Sequence, residues 1–143
     1  MNIIITLPHE LIEEIFIGHK VFEARKAIPS FFDPEKDRVY MVEKGTDNVV
    51  GFFTIANFTT VPTTGATLDC LKAKICVSYM YLEKYYRHYE KAVLWRIKNY
   101  FRFYVPLSLR VMFDKEKAPQ SYFYTDKNWG PPNKSVNALS KNI

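Results

Sequence analysis

The sequence predicts an α+β domain, a small curved sheet or β-barrel with flanking helices, and three observations carry that prediction. An Ile-rich strand candidate at the start runs into a stretch with helical spacing of apolar residues. Two segments rich in Val, Phe, Ile and Tyr flank a short Gly-containing joint, which is a hairpin signal. In the middle of the chain, leucine and tyrosines recur at i, i+3, i+4 and i+7.

Taken in order, Asn2–Thr6 is the first strand. Pro8 suits a helix start, and Glu10, Glu13 and Glu14 complement its positive end. Leu11, Ile12, Ile15 and Phe16 make the buried stripe, and Gly18 fits the left-handed position that ends such a helix, so residues 8–17 read as helical. Lys20–Lys26 reads as a strand with Val21, Glu23 and Arg25 on one face. Pro29 and Asp33-Pro34 mark a loop. Arg38–Lys44 and Asn48–Phe58 are the clearest strands, joined by Gly45-Thr46-Asp47. Gly51, inside the second, points to a bulge or a close backbone approach. Thr59–Gly65 reads as a polar connection, Thr67 and Asp69 as the opening of a helix through Ile75, and Tyr79–Tyr89 as another helix. Ala92–Ile97, Leu107–Met112 and Tyr122–Tyr124 read as strands. The domain is expected to span residues 1–125, with 126–143 a loosely held polar tail containing Pro131-Pro132.

With 143 residues, 48% of them hydrophobic, the chain can bury roughly two-thirds of its unfolded surface in one core. Twenty-three aromatics with only 5 Gly and 8 Pro exclude a collagen-like or disordered chain. Apolar runs such as Val49–Phe53 are far too short for a membrane span, and the start has no signal-peptide pattern, so a cytoplasmic protein with no membrane partner is expected. Cys70 and Cys76 lack CxxC spacing and a nearby His, and read as reduced core thiols. His9, His19 and His88 are scattered, so neither a metal site nor a cofactor is expected. Phosphate-loop, dinucleotide and HExxH motifs are absent. Charge is uneven: residues 1–71 carry 6 Lys and Arg against 10 Asp and Glu, whereas residues 72–143 carry 14 against 5. A basic half of this kind favours a phosphate-bearing partner.

One constellation stands out, Gly18-His19-Lys20-Val21-Phe22-Glu23-Ala24-Arg25. It sets a cation, a carboxylate and a guanidinium at a helix-to-strand junction. On a solvated face this is an ion pair worth under ~1 kcal/mol. In a cleft, Arg would grip a phosphate, Glu would accept from a base amino group, and Lys would add charge or a proton. Strict alternation turns Lys20 away from Glu23 and Arg25 unless the turn after Gly18 rotates it towards them.

The pattern G-x-K-x-x-E-x-R, after an amphipathic helix and before a Pro and two strands, resembles the ASCH domain family of the PUA-like superfamily. Val39-Tyr40-Met41 followed by Val49-Val50-Gly51-Phe52-Phe53, the tyrosine-rich helix, Trp95–Ile97 and Ala118-Pro119-Gln120-Ser121 extend the likeness over residues 1–125. The resemblance implies a PUA-like small β-barrel with a cleft beside the first helix. It implies that Lys20, Glu23, Arg25, Gln120 and Ser121 bind RNA or a nucleotide-like ligand. One branch of the superfamily removes the acetyl group of N4-acetylcytidine with a Lys, a Thr nucleophile and a Glu. Lys20 matches that Lys, but Glu23 stands where the Thr falls, and Glu43 and Glu83 are guesses for the catalytic Glu. If the protein is an enzyme, Lys20 and Glu23 are its candidate catalytic residues, including as a ribonuclease with Glu23 as base. A third reading is a module whose Tyr-rich face binds a protein partner.

Residues 79–104 hold ten aromatics interleaved with Lys84, Arg87, Lys91, Arg96, Lys98 and Arg102. Exposed aromatics among cations stack single-stranded bases, at ~1–3 kcal/mol per base. Most of the ten are expected in the core, with a minority, tyrosines rather than phenylalanines, left for a ligand.

Overall fold

The computed structural model describes residues 1–131. Six strands form one mixed sheet: β1 (Asn2–Leu7), β2 (Phe22–Arg25), β3 (Val39–Glu43), β4 (Asn48–Pro62), β5 (Lys91–Ser108) and β6 (Tyr122–Thr125). Four helices accompany it: α1 (His9–Phe16), α2 (Gly65–Ile75), α3 (Tyr79–Tyr85) and α4 (Leu109–Phe113). The strand order is β2-β5-β4-β3-β1-β6, with β1 parallel to β3 and the other pairs antiparallel. The architecture is α+β, but the expected barrel is not closed by backbone pairing. β2 and β6 remain edges, and across the gap between them Arg25 Nη1 lies 3.5 Å from the carbonyl oxygen of Ser121.

The sheet buries both faces. On one, Ile3, Ile5, Met41, Phe53 and Trp95 pack against Ile12, Ile15 and Phe16 of α1, the stripe expected from the helical spacing. On the other, Ile4, Tyr40, Phe52 and Val49 pack with Leu109, Met112 and Phe113 of α4. A third cluster, Leu68, Ile75, Leu82, Tyr86 and Leu94, seats α2 and α3 on the far end of the β4–β5 ladder. Both helices have hydroxyl caps, Thr64 accepting from the amide of Thr67 and Ser78 from the amide of Tyr81.

Several expectations change. β4 continues through Thr59 to Pro62 in place of a loop, paired with Lys91–Leu94. β5 is one strand through Ser108, and Leu109–Phe113 is helical, capped by Ser108. The Tyr79 helix ends at Tyr85. Gly51 shows both features predicted for it: the register shifts beside it, and a Cβ there would stand 2.1 Å from the carbonyl oxygen of Phe101. Cys70 is exposed and Cys76 half-buried, so both are free thiols but neither is a core residue. Asn2 Nδ2 donates to the carbonyl of Lys127, and the amide of Trp129 donates to the Tyr40 hydroxyl, so the first part of the expected tail is tied to the sheet. Residues 132–143 of that tail lie outside the described residues. Among the described residues no helix is long and apolar enough to cross a membrane.

Candidate functional site

The site begins with how α1 ends. Gly18 takes a left-handed conformation (φ 82°), and the amides of His19 and Lys20 both donate to the carbonyl of Glu14 at 3.0 Å. The chain therefore wraps round the helix end before β2 starts at Phe22. Lys20 lies outside the strand and escapes its alternation. Its buried ammonium donates to the carbonyl of Ile75 at 2.6 Å and stands 3.3 Å from Glu23 Oε1. Ile75 is the last residue of α2, where carbonyls lack helical partners and the dipole favours a cation.

Glu23 is 5% exposed. Arg25 Nε and Nη2 donate to its Oε2 at 3.1 and 2.9 Å, and the guanidinium carbon lies 5.6 Å from the Trp95 ring centre. Burial alone would push the Glu23 carboxyl up. The adjacent charges of Lys20 and Arg25, together with their hydrogen bonds, outweigh it and hold the group below the usual carboxylate range. Burial likewise works against the Arg25 cation, and the Glu23 charge overcomes it and raises its pKa. Lys20, Glu23 and Arg25 thus meet as one cation–carboxylate–cation cluster, with more positive than negative charge.

This cluster faces a cavity of about 990 Å³. Glu23 and Arg25 lie on its β2 wall, Pro8 and Leu11 come from the start of α1, Tyr81 and Tyr85 from α3, and Gln120 and Ser121 from the segment before β6. Lys20 does not line the cavity: it supports Glu23 from behind. The opening is the gap left by the unclosed sheet. The guessed acids are elsewhere. Glu43 bonds His9, at 2.6 Å, beside a separate hollow of about 280 Å³, and Glu83 is exposed on α3.

Of the ten aromatics in residues 79–104, seven pack in or against a core, and the three exposed are Tyr81, Tyr89 and Tyr104. Tyr81 and Tyr85 stack nearly parallel, 9° apart with centres 6.0 Å distant, on the cavity rim. Helical spacing brings these two rings together, but only the fold sets them on the lining of one cavity with Glu23. Lys26 and Lys44, which also line the cavity, carried no signal beyond their charge.

Chemically, an ionised carboxylate bonded through both oxygens is a fixed acceptor rather than a proton carrier near neutral pH. Arg25 Nη1, with one long contact to a carbonyl, retains donor capacity beside it. An acceptor and a donor side by side match the edge of a planar heterocycle.

No family model and no curated protein matches this chain. Solved structures do. "ASCH from Zymomonas mobilis" superposes with a TM-score of 0.69 over 97% of this chain and 94% of that one, at 18% identity. A serine-to-alanine variant of that protein gives 0.67 over 98% and 95%, also at 18% identity. The chain has the fold of an ASCH domain. A tyrosine-to-phenylalanine variant of the Zymomonas protein, at 19% identity, gives a TM-score of 0.67 over 88% of this chain and 91% of that chain. The likeness thus embraces nearly the whole length of both chains.

Proposed function

We propose that the protein is an ASCH-type domain that binds RNA or a nucleotide-like ligand in the cavity between β2 and residues 118–121. The observation that carries this reading is the ionised Glu23 carboxylate, fixed by Lys20 and Arg25 on the wall of a cavity whose rim bears two parallel tyrosines. The carboxylate accepts from a base amino group, Arg25 donates to the neighbouring ring nitrogen or carbonyl, and Tyr81 offers its face for stacking. The G-x-K-x-x-E-x-R pattern and the shared ASCH fold point the same way. Position 23 holds no hydroxyl, and the lowered pKa of Glu23 ill suits a general base, so recognition fits the cluster better than hydrolysis. The two free thiols suit a reducing compartment such as the cytoplasm.

The test is fluorescence anisotropy of short single-stranded RNA with Tyr81→Ala and Glu23→Gln, each checked for an unchanged circular dichroism spectrum. Loss of one stacked base, ~1–3 kcal/mol, predicts roughly 5- to 150-fold weaker binding for Tyr81→Ala. Parent-like affinity in both folded variants would remove the cavity from the function.

A further inference from the structure

Arg25 and Lys20 spend their charge on Glu23, but the residue that follows β2 does not. Lys26 lines the same cavity, and its ammonium sits 4.4 Å from the centre of the Tyr85 ring and 4.5 Å from that of Tyr89. Among the described residues it forms no ion pair with a carboxylate. Two aromatic faces hold a cation by their quadrupoles without neutralising it. The rings therefore fix the position of Lys26 and leave its charge and an N–H donor directed away from them for something else.

Position decides what that is. Lys26 lies three residues beyond Glu23, in the bend that follows β2, a backbone reach of at most about 10 Å, comparable to the span from a base edge to its own phosphate. The ring that helps hold Lys26, Tyr85, is the one stacked on Tyr81. A base edge at Glu23 and Arg25 on β2, a ring plane at Tyr81 on α3 and a cation at Lys26 just beyond β2 thus line one cavity. Among the charged residues lining the cavity, the cations Arg25, Lys26 and Lys44 outnumber the carboxylates Glu10 and Glu23, so the cavity as a whole favours an anion.

We propose that Lys26 is the phosphate-binding residue of this site, and that the ligand is a phosphorylated nucleotide or an RNA phosphodiester rather than a free nucleoside. This rests on the reading of the cavity as a nucleotide site and adds to it the class of ligand. The Tyr85 and Tyr89 rings act as positioning groups: they place the ammonium, and only the ammonium meets the phosphate.

The experiment is calorimetric titration with the four ribonucleosides, their 5′-monophosphates and the matching dinucleoside monophosphates, for the parent, Lys26→Gln, Lys26→Arg and Glu23→Gln. A charge-assisted phosphate contact predicts that at least one phosphorylated form binds roughly tenfold or more tightly than its nucleoside. Lys26→Gln should erase that preference while keeping nucleoside affinity, and Lys26→Arg should restore most of it. A preference for the monophosphate assigns a phosphomonoester, and a preference for the dinucleotide assigns an RNA backbone. Equal affinity for nucleoside and phosphate, or a preference that survives Lys26→Gln, overturns the role of Lys26; loss of nucleoside binding in Glu23→Gln would then show the cavity reading still standing. If the parent binds none of these probes, both fall together.

Discussion

The cluster turns on the buried position of Lys20. A buried cation is tolerated only when paired and hydrogen-bonded, and Lys20 has both, the carbonyl of Ile75 and the carboxylate of Glu23. Its place is only half legible in the sequence: the residue types and the Gly18 turn are there, but alternation along a strand starting at Lys20 turns the side chain away. What reverses it is a pair of hydrogen bonds to one carbonyl at the end of α1, which no periodicity reports. Lys20→Met should therefore cost about 3–5 kcal/mol at pH 7, since it strips Glu23 of one partner and leaves the carbonyl of Ile75 unsatisfied. The pH dependence has a definite sign. Because folding lowers the Glu23 pKa, its ionised form contributes stability above its unfolded value, near 4.3, and that stability is lost as pH falls through the lower folded value. Urea titrations of parent and Lys20→Met should therefore show a gap that is constant near neutrality and narrows below the usual carboxylate range. A gap that stays the same down to the acid limit would mean that Lys20 acts through Ile75 alone.

At the scale of elements, what the sequence revealed depended on whether a segment is buried. β1, β3 and the first half of β4 are apolar runs buried on both faces and α1 buries one helical stripe, and each is found within a residue or two of its predicted place. The end of β4, from Thr59 to Pro62, is mostly exposed, so its threonines give no alternation to read and only pairing with β5 makes it a strand. β5 is interrupted in register, with Leu107 opposite Val49 and Arg102 opposite Gly51; the four residues between bulge out around Pro106, which imitates a loop. The helix that matters most for the site, α3, is seven residues long, too short to hold itself. Its hydroxyl cap and the burial of Leu82 secure it, and through it the two tyrosines on the cavity rim. Ser78→Ala should cost about 1 kcal/mol, and because α3 can fray without the sheet unfolding, the loss should concentrate there. Hydrogen exchange should quicken at the amides of residues 81–86 with those of β3 unchanged, and RNA affinity should fall alongside. Uniform acceleration across the chain would show that α3 melts only with the whole domain.

Across the whole molecule, the sheet's failure to close and the split of charge act together. A ladder joining β2 to β6 would fill the opening through which Glu23 and Arg25 are reached; Arg25 bridges the gap with a side chain instead. The fold class was readable because the core pattern specifies layers, but closure depends on how far two edge strands stand apart, and α1, α3 and residues 118–121, which line the opening, come from distant parts of the chain. The excess of cations in residues 72–143 gains meaning from that opening. Lys84 and Arg87 are exposed on and just beyond α3, the element that carries the rim tyrosines, whereas Arg110 lies on α4 and is paired with Glu116. If a single strand leaves the cavity across α3, each of its phosphates met by a cation adds about 0.7 to the slope of log affinity against log salt. Replacing Lys84 and Arg87 together by Gln should then make the slope shallower by about 1.4, and Arg110→Gln should leave it unchanged. A slope that ignores the pair on α3 but responds to Arg110 would route the strand past α4 instead. Equal responses at both places would make the basic half a diffuse attractor with no track, so that any selectivity would have to come from the cavity alone.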